Sequence, residues 1–438
     1  MTGKGVQGGP SIGIVDPAAT SVRNRILVLL FLVTALNYLG RTCVSAAAPK
    51  IMSDLRLSNV EMGNVFGVFA LSYGLVEIPA GWLGDRIGQR RMLTRIVLCW
   101  SAFTALTGAA TNSVVLIVTR FAFGAAEAGA LPTTARALAR WFPASDRGRV
   151  TGVMFMGARL GGALAPPLAT VLIAYCGWRL TFVIFGLLGV IWTPFFLNSY
   201  RDDPATHPSV NEVELKYIRQ GRGSPGGGVA NPRIPWRRLF LNSNLWALFW
   251  MYFGTSYGFW FFLTWLPTFL IRDYGLTAGR AGLYASLPLA FGAFTSLVGG
   301  TVSDRIARLT GSLRIGRATV GLGGFILAGA GFGAASLANG PATAVLCLTL
   351  GAGAIDLAVP VAWAACLEVG GEFGGTATGF MNTASSVSAV LSPIAAAWLY
   401  DRFGSFHAMF LSAMVLYWIT GLLWLKIDPA RQVKLASI

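Results

Sequence analysis

The stretch Gly81-Trp-Leu-Gly-Asp85-Arg86-Ile-Gly88-Gln-Arg90-Arg91 decides how this chain folds, because a degenerate copy, Gly300-Thr-Val-Ser-Asp304-Arg305, returns 219 residues later, half of the 438-residue length. Each copy closes an apolar run long enough to cross a bilayer. A second set of matches, offset by 227 residues, pairs Gly152-Val-Met154, Leu164-Ala-Pro166 and Gly177 with Gly379-Phe-Met381, Leu391-Ser-Pro393 and Gly404. Two similar halves are therefore expected, each too apolar to fold in water.

Composition agrees. Hydrophobic residues make up 54% of the chain and charged ones only 12%, against about 25% charged in soluble domains. With mean hydropathy +0.61, a soluble enzyme, a disordered chain and a disulfide scaffold are excluded. A spanning helix needs roughly 20 mostly apolar residues. Such runs fall at 24–46, 61–83, 92–110, 114–140, 148–175 and 178–198, then at 242–271, 278–302, 317–336, 341–367, 373–398 and 404–426.

The expected architecture is an all-α membrane protein of 12 transmembrane helices in two pseudo-symmetric six-helix bundles. It divides into a disordered cytoplasmic tail (1–22), an N-terminal bundle (23–198), a cytoplasmic linker (199–241), a C-terminal bundle (242–427) and a cytoplasmic tail (428–438). The linker carries a short amphipathic helix near Glu212–Gln220 and a Ser224-Pro-Gly-Gly-Gly228 run. No cleavage site follows the first apolar run, which is expected to stay as a helix.

The net charge of +16 is a topology signal. Of 34 Lys and Arg, 25 cluster in or beside alternate loops and the two tails, six fall on the opposite side, and three lie inside spans. The positive-inside rule then puts both termini in the cytoplasm of a multi-pass inner-membrane protein, with no nucleic-acid partner. The five cysteines lack metal or disulfide spacing and read as buried thiols. Only two histidines exist, His207 and His407, and no nucleophile–base pair is visible, so no enzyme is expected.

The Gly81–Arg91 stretch resembles the loop motif of the major facilitator superfamily. Within it the chain is similar to the anion:cation symporter branch, which includes bacterial sugar-acid transporters, sialin and the vesicular glutamate transporters. Asn37-Tyr38-Leu-Gly-Arg41, Tyr73 through Gly81, Arg120 through Glu127-Ala-Gly, and Trp141-Phe-Pro143 through Arg149 carry that likeness. The resemblance implies secondary active transport by alternating access, with the substrate near the midplane between halves. It also implies no cofactor and a proton, or else sodium, as coupling ion.

Six ionisable residues fall inside spans: Arg41, Glu77, Arg120, Glu127, Arg159 and Asp356. Each costs about 2.5–3.5 kcal/mol at the bilayer centre, so they must face one another or a wet cavity. Asn37, Tyr38 and Arg41 share one helix face, and a guanidinium holds a carboxylate by two parallel hydrogen bonds. The resemblance makes Arg41 the substrate-carboxylate ligand and Glu127 the proton-coupling group. Many bacterial members carry an acid before that arginine, but here the position is Gly40.

Glu77, where relatives usually have glutamine, is one turn from Tyr73 and can be a second proton site or a counter-ion to Arg41. Arg120 and Glu127 lie two turns apart on one face, so Arg120 is a gate or counter-ion, and Pro132 is expected to kink that span. Arg159 stands where relatives place a substrate-binding polar residue. A second arginine favours a dianion, or a carboxylate with hydroxyls; pairing with Glu77 or Glu127 is the bland alternative. Asp356 is a further titrating candidate or a partner for Asn382. Tyr252, Tyr257, Trp260, Phe261, Phe262, Trp265 and Trp363 form an aromatic set, from which Tyr257, Trp260 and Trp363 are taken as substrate contacts together with Tyr73, Asn382, Ser385 and Ser386. Asp85, Arg86, Asp304 and Arg305 are expected at the gate.

The function expected is import of an organic anion, most simply a sugar acid such as a hexonate, hexuronate or aldarate, by proton symport in a monomer. Rivals are a symporter of aromatic or other carboxylates, an organophosphate exchanger, which usually draws one arginine from each half, and a drug/proton antiporter, which wants an acidic cavity.

Overall fold

In the computed structural model residues 19–57, 59–220 and 236–433 are described, and the regular structure among them is helical. Most of the 1–22 tail, the Ser224–Gly228 run and the end of the 428–438 tail lie outside the described residues. The first half comprises α1 (Val22–Leu55), α2 (Asn59–Ile87), α3 (Gln89–Thr107), α4 (Ser113–Glu127), α5 (Ala130–Trp141) and α6 (Arg147–Ser199). Between the halves lie α7 (Glu212–Arg219) and α8 (Trp236–Leu241). The second half holds α9 (Ser243–Thr264), α10 (Leu266–Tyr274), α11 (Ala278–Thr310), α12 (Leu313–Ser336), α13 (Pro341–Gly370), α14 (Gly374–Phe403) and α15 (His407–Gly421). Among the described residues, eight helical stretches are long and apolar enough to cross a membrane; one of them, Pro341–Phe403, runs through both α13 and α14.

α6 consists of two legs. Gly177 has φ 75° and ψ 164°, a backbone that side chains rarely tolerate, and the chain reverses there. Gly157 on the first leg lies against Phe31 of α1. On the second leg, the Trp178 indole donates to Asp54 at 2.8 Å and the Trp192 indole donates to the Leu29 carbonyl at 3.0 Å, near the opposite end of α1. The expected spans 148–175 and 178–198 are these two legs.

The run 114–140 breaks elsewhere than expected. Pro132 sits in the first turn of α5, where a missing N–H does no harm. The break comes earlier, at Ala128-Gly129, with Gly129 at φ 83°. A side chain there would strike the Ala80 methyl of α2. Close packing against α2, rather than proline, ends α4 at Glu127.

The two loop motifs make crossed caps. Asp85 accepts from the Gly375 and Thr376 amides at 3.1 and 2.7 Å, at the start of α14 in the other half. Asp304 accepts from the Gly148 and Arg149 amides at 3.1 and 2.7 Å, at the start of α6. A carboxylate there satisfies otherwise unpaired helix amides and complements the helix dipole. Arg136 of α5 adds bonds to the Gly371 and Glu372 carbonyls beyond α13, at 2.5 and 2.7 Å. The buried Arg317 guanidinium joins Asp304 and Glu368 at 2.6 and 2.8 Å. The motif end of the molecule is therefore clamped shut. Arg86 stacks over Trp82, and Arg305 is exposed.

The first part of the linker is docked on the first half. Asp202 accepts from the Gln89 and Arg90 amides at the start of α3. On α7, which fulfils the amphipathic expectation, the fully buried Glu214 meets the start of α1 at the Arg23 amide (3.0 Å) and guanidinium (3.1 Å). Tyr217 donates to Asp146 at 2.5 Å, and burial together with that acid pushes its phenol up to about 12, so it stays a donor. Asp146 in turn meets Arg308 of α11 at 3.4 Å.

Of the five cysteines, Cys43 and Cys366 are buried, Cys176 and Cys347 half-buried, and Cys99 is exposed on an outward face of α3. The expectation of buried thiols therefore fails for Cys99.

Candidate functional site

A cavity of about 900 Å³, counting the space that opens to solvent, lies between the halves. Helices α1, α2 and α6 contribute Tyr38, Arg41, Tyr73 and Arg159 to its wall; α9, α13 and α14 contribute Tyr252, Trp260, Asp356, Asn382, Ser385 and Ser386.

Arg41 is paired with Glu127, its Nε and Nη2 donating to Oε1 at 2.9 and 2.7 Å. The two bonds share one oxygen, and the buried Oε2 makes no hydrogen bond among the described residues. Around the guanidinium stand the rings of Tyr38, Tyr73 and Phe69, with centroids 4.9, 4.8 and 5.2 Å away. Such faces attract a desolvated cation. Asn37 is buried on the same helix, one turn back, outside the cavity lining.

Among the described residues Arg120 forms no salt bridge with Glu127, although the two charges lie close enough to interact. Arg120 is almost fully buried, stacked over Phe123 at 4.3 Å, and its Nε and Nη1 make no hydrogen bond among the described residues. The break after Glu127 leaves that carboxylate facing α1, so Arg41 takes the bond.

Arg159 pairs with neither Glu77 nor Glu127. Its Nη2 meets Asp356 Oδ1 at 2.5 Å across the two halves, with the Phe259 ring 4.3 Å from its guanidinium carbon. Asp356 accordingly does not bond Asn382. The Asn382 amide donates instead to Glu77 and, at 3.5 Å, to the Tyr73 hydroxyl. Glu77 is fully buried, crosses the interface to α14 rather than bonding Arg41, and lies outside the cavity lining.

The aromatic set divides. Trp260 lines the cavity and anchors its indole on the Ser385 carbonyl at 3.0 Å. Tyr252 and Phe262 also line it. Trp363 stands behind Tyr252, donating to its hydroxyl at 2.9 Å, and does not reach the cavity. Tyr257 turns toward Ser412 of α15, Phe261 packs on Phe410, and Trp265 caps the Pro393 carbonyl. Phe69, Phe155, Thr255, Ser256 and Phe259 are wall residues that sequence reasoning missed. Phe69 lies one turn before Tyr73, and Ser256, Phe259 and Trp260 share a face at three- and four-residue spacing; those periodicities were the available signals.

Two helical halves enclosing a charged cavity, shut at one end, define a membrane transporter. The chain belongs to the Major Facilitator Superfamily, whose profile matches residues 30–393. It is 34% identical over 414 residues to a probable sulfoacetate transporter of Cupriavidus necator, covering 94% of this chain and 95% of that one. A probable galactarate/D-glucarate transporter of Bacillus subtilis is 30% identical over 444 residues, covering 96% of each. Among solved structures, the human organic anion transporter MFSD10 superposes with a TM-score of 0.73 at 16% identity, over 92% of this chain and all of that one. The last likeness concerns the fold alone.

Proposed function

We propose that this protein imports a small organic anion, a sugar acid or a related sulfonated or carboxylated acid, by proton symport with alternating access. The observation that carries the reading is that Arg41 and Arg159 line one cavity, each held by a carboxylate that an incoming anion can replace. The names of the relatives support the substrate class.

In this reading twelve spans form two six-helix bundles (23–198 and 242–427), the segments 1–22, 199–241 and 428–438 face the cytoplasm, and the protein sits in the inner membrane as a monomer. The loop bias of Lys and Arg supports that orientation. The clamped motif end is then cytoplasmic, and the cavity is reached from outside.

Charge balance supports proton coupling. Arg41, Arg120 and Arg159 balance Glu77, Glu127 and Asp356 when all six are ionised. An anion entering that dry region would leave uncompensated negative charge unless a proton enters with it. Glu127 is the natural acceptor: once protonated it releases Arg41, whose fork takes the substrate carboxylate. Tyr38, Tyr73, Asn382 and Ser385 then meet hydroxyls, and Trp260 meets the C–H face. Glu77 is a further proton site, gated by Asn382. When the halves rock, Glu127 loses its proton to the cytoplasm, reclaims Arg41 and expels the anion.

The test is uptake into proteoliposomes under imposed pH or sodium gradients, with sulfoacetate, aldarates, hexonates and aromatic acids as solutes. Accumulation of an acid driven by the pH gradient is expected. Extrusion of hydrophobic cations with indifference to every acid would overturn the reading.

A further inference from the structure

We propose that Asp356 is a built-in stand-in for the second acid group of a dianionic substrate, and that the Arg159–Asp356 bridge makes this transporter select dianions over monoanions. The inference rests on the organic-anion reading above and names the class within it.

Three observations carry it. First, the two cavity arginines are neutralised differently. Arg41 is held within its own half by Glu127, whereas Arg159 reaches across to Asp356 of α13. Second, both members of the cross-half pair line the cavity, and the buried Nε of Arg159 makes no hydrogen bond among the described residues. A second oxygen of an entering acid group would find a donor there that one Asp356 oxygen leaves unused. Third, the pair is seated by shape. The other Asp356 oxygen, Oδ2, occupies the notch left by Gly292 on α11, where any side chain would collide with it. The carboxylate is thus held at the guanidinium by packing as well as charge, while Phe259 covers one face of Arg159.

The energetic logic follows. A monoanion satisfies Arg41 and leaves the bridge intact, so it draws nothing from Arg159. A dianion displaces Asp356, which takes up a second proton so that no buried charge is left unpaired, and exchanges one charge-assisted bond for another, a forked one where the geometry allows. A substrate without a second anion gains nothing by opening the bridge, since breaking it without replacement strands two buried charges. The other ionisable groups near the pair, among the described residues, are the phenols of Tyr38, Tyr252 and Tyr417, which bear no carboxylate to take the place of Asp356.

The experiment compares matched acids: glucarate against gluconate, which differ only in the second carboxylate, and sulfoacetate against acetate. Uptake and binding are measured on the full-length protein in proteoliposomes. Wild type is expected to prefer the dianion of at least one pair. Arg159→Gln should lower that dianion's kcat/KM about a hundredfold, as for loss of one partner of a buried pair, and so collapse the dianion-to-monoanion ratio. Because a lone buried Asp356 can impair folding, the double variant R159Q/D356N, which keeps a neutral hydrogen bond in place of the pair, is the second test. It should fold and show equal preference for both acids. Gly292→Ala, which moves the carboxylate without touching any charge, should weaken the bridge and tighten dianion binding.

A double variant that keeps the wild-type ratio of dianion to monoanion overturns the proposal and leaves organic-anion transport standing. A wild-type protein that takes monoanions as well as dianions does the same. Failure of the folded wild type to bind any acid, with uptake of another solute class, overturns the underlying reading instead.

Discussion

Arg41 carries its charge among three aromatic faces, and Glu127 is its hydrogen-bond partner among the described residues. That arrangement makes one carboxylate the competitor of any anion that seeks the same fork. Glu127→Gln should therefore keep substrate exchange across the membrane but abolish accumulation against a pH gradient, measured as counterflow and net uptake in the same proteoliposomes. Normal accumulation by this variant would move the coupling role elsewhere. The six charges within spans were legible in the sequence, since apolar runs set them off by contrast. Their partners were not. Arg41 and Glu127 are 86 positions apart, and Arg159 and Asp356 are 197 apart. Helical periodicity says which residues share a face, and is silent about which face of another helix they meet. Hence the two-turn spacing of Arg120 and Glu127 suggested a pair that the helix break redirects.

The break itself belongs to the scale of the element. A left-handed residue costs about 1–2 kcal/mol for anything but glycine, and at Gly129 the Ala80 methyl adds a collision that Gly275, left-handed as well but with open space around it, does not face. Gly129→Ala should thus lower the melting temperature in detergent clearly more than Gly275→Ala, by about 1–3 kcal/mol of additional overpacking. Equal losses would mean that contact with α2 does not set the end of α4. Proline gave the wrong break because its effect depends on position, and Pro132 falls in a first turn that accepts it. By contrast the reversal at Gly177 was legible, being marked by its repeat at Gly404, which ends α14 at φ 70°. The short helix α7 was legible as the amphipathic stretch Glu212–Gln220, and the structure adds the Asn211 cap at its start.

Across the whole molecule, the duplicated motif predicted two halves, and the structure shows what the duplication does: each copy caps a helix of the opposite half. Removing a cap costs about 0.5–2 kcal/mol. Asp85→Ala and Asp304→Ala should each move part of the population toward an open motif end, and the double variant further still, read as spin-label distances between the halves in nanodiscs. Unchanged distances in the double variant would show that Arg136 and the Arg317 cluster hold that end alone. The reciprocity of the caps could not be read from the repeat, because similarity within a chain does not say which copies touch. It also has a solvent consequence. When this end parts, two helix starts and the acids that served them are orphaned together, and only a flood of hydration can take over their bonds. Turnover should then slow as osmotic pressure rises on that face with an excluded polymer. The carrier would behave, in part, as a gauge of water activity.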